Sequence, residues 1–109
     1  MRSDSLTVIR LDGELEISRR DEIASALRLD GSERGVLLDF SEVTYADSTS
    51  LAELLRFRAE ADKHHVPIAV IIGSKQFARL IQYAGLAAAF KIFDNRGAAL
   101  TYLSNPETT

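Results

Sequence analysis

Val36-Leu37-Leu38-Asp39-Phe40-Ser41-Glu42-Val43-Thr44-Tyr45-Ala46-Asp47-Ser48-Thr49-Ser50-Leu51 is the stretch on which the fold turns. Its first five residues are apolar except for one acid, the pattern of a strand buried on both faces in a parallel sheet. Ser41 to Asp47 reads as a connector, with extended character at Val43-Thr44-Tyr45. Ser48 then opens a run to His64 free of Gly and Pro, the strongest helix signal in the chain. Counted from Leu51 at about 100° per residue, one apolar arc holds Leu51, Leu54, Leu55 and Ala59. A buried strand, a short connector and an amphipathic helix make the first half of a βαβ unit.

The same logic extends in both directions. Upstream, Leu6 to Asp12 alternates imperfectly as a strand, Gly13 punctuates it, and Glu14 to Ile17 reads as a second short strand. Ser18 to Leu29 follows as a helix. Ser18 and Asp21 approach the capping-box spacing, and Ile23, Ala26 and Leu27 form one face. Asp30 to Gly35 is a loop by composition. Downstream, Pro67 ends the central helix and Ile68 to Ile72 forms another buried strand. Gly73-Ser74 turns into a helix carrying Phe77, Leu80, Ile81 and Ala84, with Gly85 as a left-handed C-terminal cap. Leu86 to Phe90 connects to a strand at Lys91-Ile92-Phe93. Asp94 or Asn95 caps a final helix holding Ala98, Ala99, Tyr102 and Leu103, and residues 104–109 read as a flexible tail. This order predicts an α/β fold with a mostly parallel, mixed sheet of four to five strands and about four helices packed on it. One domain is expected over residues 1–109, with its core at about 5–103.

Composition narrows the function. The 109 residues are 46% hydrophobic and 27% charged, enough apolar surface for a core. Thirteen basic against sixteen acidic side chains give a net charge of −3, which disfavours nucleic acid as a direct partner. A charge of −3 permits a monomer, and an exposed N-terminal edge strand offers a route to a dimer. No cysteine is present, which removes disulfides, thiolate nucleophiles and zinc–cysteine sites. Apolar runs such as Ile68 to Ile72 fall far short of the ~20 residues that cross a bilayer. No signal-like segment follows Met1, and a cytoplasmic domain without membrane insertion is expected.

In open α/β sheets, function gathers beyond the carboxyl ends of the strands. Three polar segments reach that edge: Asp12 to Ser18, Asp47 to Ser50, and Gly73 to Gln76. Asp47-Ser48-Thr49-Ser50 sets one acid and three hydroxyls directly before the strongest helix. One reading is capping alone, with Ser48 or Thr49 accepting from a first-turn amide. The other is a phosphoacceptor. A serine there is exposed on rigid structure, and a phosphate would sit at the positive end of the helix dipole. Its ~1.5 to 2 negative charges would then act on a partner's surface rather than on this fold.

Tyr45-Ala46-Asp47-Ser48-Thr49-Ser50-Leu51, placed after Val36 to Val43, resembles the STAS domain of bacterial anti-sigma factor antagonists. Gly13-Glu14-Leu15-Glu16-Ile17-Ser18 is similar to that family's early Gly-Glu-Leu-Asp segment. Ala84-Gly85-Leu86 followed by Phe90-Lys91-Ile92-Phe93 resembles its late Gly-Leu and strand. The resemblance implies a module that binds an anti-sigma factor with serine kinase activity and so frees a sigma factor. Phosphorylation of the serine after the Asp would dissolve the complex. That acceptor is Ser48 here, with Thr49 as the alternative. The kinase would supply ATP and metal, so no cofactor is expected in this domain. The expected docking residues are Glu16, Ser18, Asp47, Thr49, Ser50, Glu53 and Phe57. Where the family usually has Gly, this chain has Ser50, and where its second helix usually ends near Gly, His64-His65-Val66-Pro67 stands. The alternative within the family is a non-phosphorylated scaffold subunit of a signalling or lipid-transport complex.

Other chemistries find less support. Adjacent His64 and His65 point about 100° apart on a helix and do not form a metal pair. Ser48 and His64 are separated by about 24 Å of helix, too far for a nucleophile and its base. There is no Gly-x-Ser-x-Gly elbow and no glycine-rich phosphate loop. Asp12, Asp39 and Asp47 could meet at one sheet edge, but acids at strand ends usually form turns and caps. No enzyme is expected.

Overall fold

β3, Ile68–Ile72, is buried along its whole length. That burial fits its place inside a sheet covered on both faces. In the computed structural model, which describes residues 6–104, β3 lies between β2 (Gly35–Ala46) and β4 (Lys91–Phe93), and β1 (Leu6–Leu15) flanks β2. All three pairings are parallel, in the order β1-β2-β3-β4. The helices are α1 (Arg20–Ala26), α2 (Ser48–Lys63), α3 (Lys75–Tyr83) and α4 (Arg96–Ser104), with a 3-10 turn at Ile17–Arg19. The expected mixed sheet is therefore a fully parallel sheet of four strands. Of the expected tail, Ser104 closes α4, and 105–109 lie outside the described residues, as does residue 5 of the expected core.

Parallel crossovers share one hand, so an unreversed strand order puts α1, α2 and α3 on the same face. The two core clusters follow that division. Val36, Leu38 and Phe40 of β2 point into the larger one, with Ile23, Leu54, Phe57, Phe77 and Ile81 from the three helices and Leu27 just past the end of α1. Phe40, Phe57 and Phe77 are wholly buried, each stabilising the fold by about 1.5–3 kcal/mol. The Phe40 and Phe77 rings meet at 6.5 Å. Leu37, Ala69 and Ile71 face the other way, where Ala99 and Leu103 of α4 cover them.

Three elements depart from the sequence reading. Glu14 and Leu15 do not begin a new strand; they belong to β1, whose pairing shifts at Arg10/Asp12 and Gly13/Glu14. Gly13, at φ +72°, absorbs the irregularity instead of ending the strand. β2 likewise runs on through Ser41 and Glu42 to Ala46, because β1 continues beside it. α1 starts at Arg20, and Ser18 lies in the 3-10 turn without capping it.

Helix ends follow local chemistry. Ser74 caps α3 by accepting from the Phe77 amide at 3.1 Å, and Asn95 accepts from Ala98 at 2.8 Å as expected. Gly85 holds φ +76°, with Gly85 and Leu86 amides donating to Gln82 and Ile81 carbonyls, a Schellman ending. α2 ends in the same way. The His65 amide donates to Asp62 and the Val66 amide to Ala61, and His65 takes φ 58° where glycine is usual.

Candidate functional site

Asp47 leaves β2 in an extended conformation, φ −85° and ψ 178°, where an N-cap residue must be. Its own amide donates to the Leu15 carbonyl at 3.0 Å, which ties the end of β2 to the end of β1. One carboxylate oxygen accepts from the Ser50 amide at 2.9 Å and caps α2. The other accepts from the Ile17 amide at 2.9 Å. A single side chain thus fastens two segments that are 30 residues apart. The Ser50 amide, foremost among several donors, holds this carboxyl below the usual range against the opposing effect of burial. The cap is therefore Asp47, and neither Ser48 nor Thr49 serves as one.

The three hydroxyls after it diverge. Ser48 is exposed at the first position of α2, and its hydroxyl makes no hydrogen bond among the described residues. Thr49 is half-buried. Ser50 is 2% exposed, and its hydroxyl donates to the Leu15 carbonyl at 2.9 Å. Ser50 was expected on the docking surface; its inward turn makes it part of the seam between β1 and α2 instead. Phe57 is corrected likewise. It is wholly buried because the inner stripe of α2 is Ser50, Leu54, Phe57 and Ala61, rotated from the arc read off Leu51.

Around Ser48 the exposed frame is acidic and partly apolar. Glu16 and Ser18 are exposed on either side of Ile17, whose side chain is 64% exposed. Tyr45, on β2, is 39% exposed. Glu53 is half-buried on α2 and paired with Arg56 at 2.8 Å. Arg19 is a residue that sequence reasoning missed. Its guanidinium donates to the Asp12 carbonyl at 2.6 Å and the Glu14 carbonyl at 2.9 Å, holding the kink at Gly13. Its other nitrogens grip Glu22 at 2.9 and 2.8 Å, and this pairing raises the Arg19 pKa and lowers that of Glu22. The i, i+3 spacing of Arg19 and Glu22 is the one trace of this in the sequence.

The third polar segment is structural. A Cβ on Gly73 would stand 2.6 Å from the Ser41 carbonyl oxygen, so the bare backbone there lets β3 pass close to β2. The acids do not converge. Burial pushes the Asp39 carboxyl up, but Ser41, Arg10 and Arg96 more than offset it and hold it low. Among the described residues no group of three potential metal ligands occurs. His64 pairs with Glu60 at 3.4 Å, at the far end of α2 from Ser48. No described helix is long and apolar enough to cross a membrane.

Against known proteins, no curated protein matches the sequence. Among solved structures, a sulfate transporter family protein from Wolinella succinogenes superposes with a TM-score of 0.81 at 18% identity, over 95% of this chain and 88% of that one. A putative anti-sigma factor antagonist from Thermotoga maritima gives 0.79 at 19% identity, over 90% and 88%. The Bacillus cell fate determinant SpoIIAA in its phosphorylated form gives 0.59 at 22% identity, over 90% and 91%. At these identities the likeness is one of fold. The family model described as the Mlab STAS domain matches residues 2–93, and with most of its length covered the chain belongs to the STAS-domain family.

Proposed function

We propose that this domain is an anti-sigma factor antagonist, a binding module without catalysis of its own. It binds an anti-sigma factor with serine kinase activity, frees a sigma factor, and is switched off by phosphorylation of Ser48. The observation that carries the reading is the exposed, unbonded Ser48 hydroxyl at the first position of a helix whose cap is already filled by Asp47. Phosphorylating Ser48 removes no hydrogen bond from the fold, so the added charge acts on whatever docks there. Ser50 adds no obstruction to a kinase because its hydroxyl is turned inward to Leu15. Two structural neighbours support the reading, one named a putative anti-sigma factor antagonist and one solved in a phosphorylated form. Ile17, Glu16, Ser18, Thr49 and Glu53 frame the docking surface in this reading, and the work is done in the cytoplasm.

A constitutive scaffold is the second reading, favoured by the Mlab-type family match and the transporter-family neighbour. Phosphopeptide mass spectrometry on the protein from its own cells, stressed and unstressed, separates the two. A condition-dependent phosphate on Ser48 is expected. Ser48→Glu should weaken capture of the anti-sigma factor by about tenfold through like-charge repulsion, while Ser48→Ala still binds. Equal binding by both variants, with no phosphate in any condition, would overturn the switch and leave the scaffold.

A further inference from the structure

We propose that the open side of β1 is an interface for a second copy of this chain, the two strands running antiparallel about a two-fold axis at Val8. β1 lies at the end of the strand order, so among the described residues no strand covers its outer side. The hydrogen bonds at both ends of the strand fix which groups lie there. The Leu15 carbonyl accepts from the Asp47 amide at the end of β2, so Leu15 turns toward β2. Asp12 and Glu14 turn away, and their carbonyls accept from the Arg19 guanidinium at 2.6 and 2.9 Å. At the other end, the Val36 amide donates to the Pro67 carbonyl at 2.9 Å, which turns Val36 toward β3 and leaves Leu37 turned toward β1. In a parallel ladder the residue opposite a bonding one faces away, and Val8 lies opposite Leu37. Leu6, Val8 and Arg10 therefore direct their N–H and C=O groups outward.

The two halves of this edge differ. From Asp12 to Leu15, Arg19 occupies the outward carbonyls, Asp12 and Glu14 are acidic, and the register shifts, all of which discourage further pairing. From Leu6 to Arg10 the register with Gly35 to Asp39 is unbroken and no Lys or Pro occurs. Leu6 and Val8 are 40% and 46% exposed there. Free main-chain groups beside exposed aliphatic side chains are completed by another strand. The segment is complementary to itself. About Val8, each outward residue meets another, Val8 against Val8 and Leu6 against Arg10, and each facing pair exchanges both of its main-chain bonds. Their side chains share the face that bears Leu37, so Leu6 and Val8 of the two copies join in one apolar strip. Centring the pairing on Arg10 instead would set like charges face to face. The pairing consumes the open segment, so assembly closes at two. The carboxyl ends of the two sheets then point in opposite directions and both Ser48 surfaces stay open, so the interface does not rest on the function proposed for them.

Sedimentation equilibrium of the full chain, from about 10 µM to about 1 mM, tests this. The mass should rise from 12.0 kDa toward twice that value, with a dissociation constant of about 100 µM, as suits a short interface. Amide hydrogen exchange reads the register: Val8 and Arg10 should gain protection with concentration, while Thr7 and Ile9, turned toward β2, stay unchanged. Val8→Lys sets two ammonium groups against each other at the axis and should weaken association by about tenfold or more, whereas Val8→Ile keeps it. Circular dichroism reports whether each variant keeps its fold. A mass that stays at 12.0 kDa up to about 1 mM would overturn the dimer. Association untouched by Val8→Lys, or protection gained elsewhere than on β1, would overturn the edge as its seat. Masses beyond two copies would overturn the closed two-fold.

Discussion

Ser48, Thr49 and Ser50 are chemically near-identical neighbours with three different surroundings, set by a rotation of about 100° per residue at the start of a helix. The sequence displays the surplus of hydroxyls, and so marks the site, but not which of them turns inward. That depends on the Leu15 carbonyl, supplied by a strand 35 residues away. Asp47 was legible as part of the motif, and its second bond, to Ile17, was not, for the same reason. Because this carboxyl is lowered in the fold, the stability it contributes is present above its unfolded value and is lost as pH falls through the lowered one. Asp47→Asn keeps a capping acceptor but removes the titrating group. Urea denaturation from about pH 6 down to about pH 2 should therefore show a shallower acid slope in the variant. The same slope in both proteins would mean that Asp39 and the other lowered carboxyls carry all of the dependence.

Along α2 the apolar count favoured an arc of Leu51, Leu54, Leu55 and Ala59; Leu54 is buried, yet Leu55 is 41% exposed. The buried stripe begins with a serine and ends with an alanine, so its hydrophobic weight is small and the visible period slips by about one residue. β3 and β4 were legible to the residue; for β3 the reason is local, an apolar run bounded by Pro67 and Gly73. The length of β2 was not, because its pairing with β1 resumes at polar Glu42, beyond the register shift, and runs on to Ala46. The end of α2 holds a further mismatch between residue and conformation. His65 occupies the left-handed region at φ 58°, which costs a residue with a Cβ roughly 1–2 kcal/mol. His65→Gly should raise stability by about 1 kcal/mol, and the melting temperature by about 4 °C, in a thermal scan. An unchanged or lower melting temperature would show that His65 makes compensating contacts.

Taken whole, the sheet is covered unequally. Three helices and a broad cluster seal one face, while among the described residues α4 covers the other through Ala99 and Leu103. Amides of α4 should therefore exchange with deuterium about tenfold or more faster than those of β2 and β3, by an opening that leaves the larger core intact. Matching rates would make the two layers one cooperative unit. The strand order carries a consequence of its own. In sheets whose winding reverses, the loops on either side of the reversal part and leave a notch for a small ligand. Here the order β1-β2-β3-β4 never reverses, so the edge bearing Asp47 and Ser48 is a ledge and not a slot. A ledge cannot enclose a metabolite. Its breadth suits the proposed docking of a protein face at Ser48 rather than the enclosure of a small molecule.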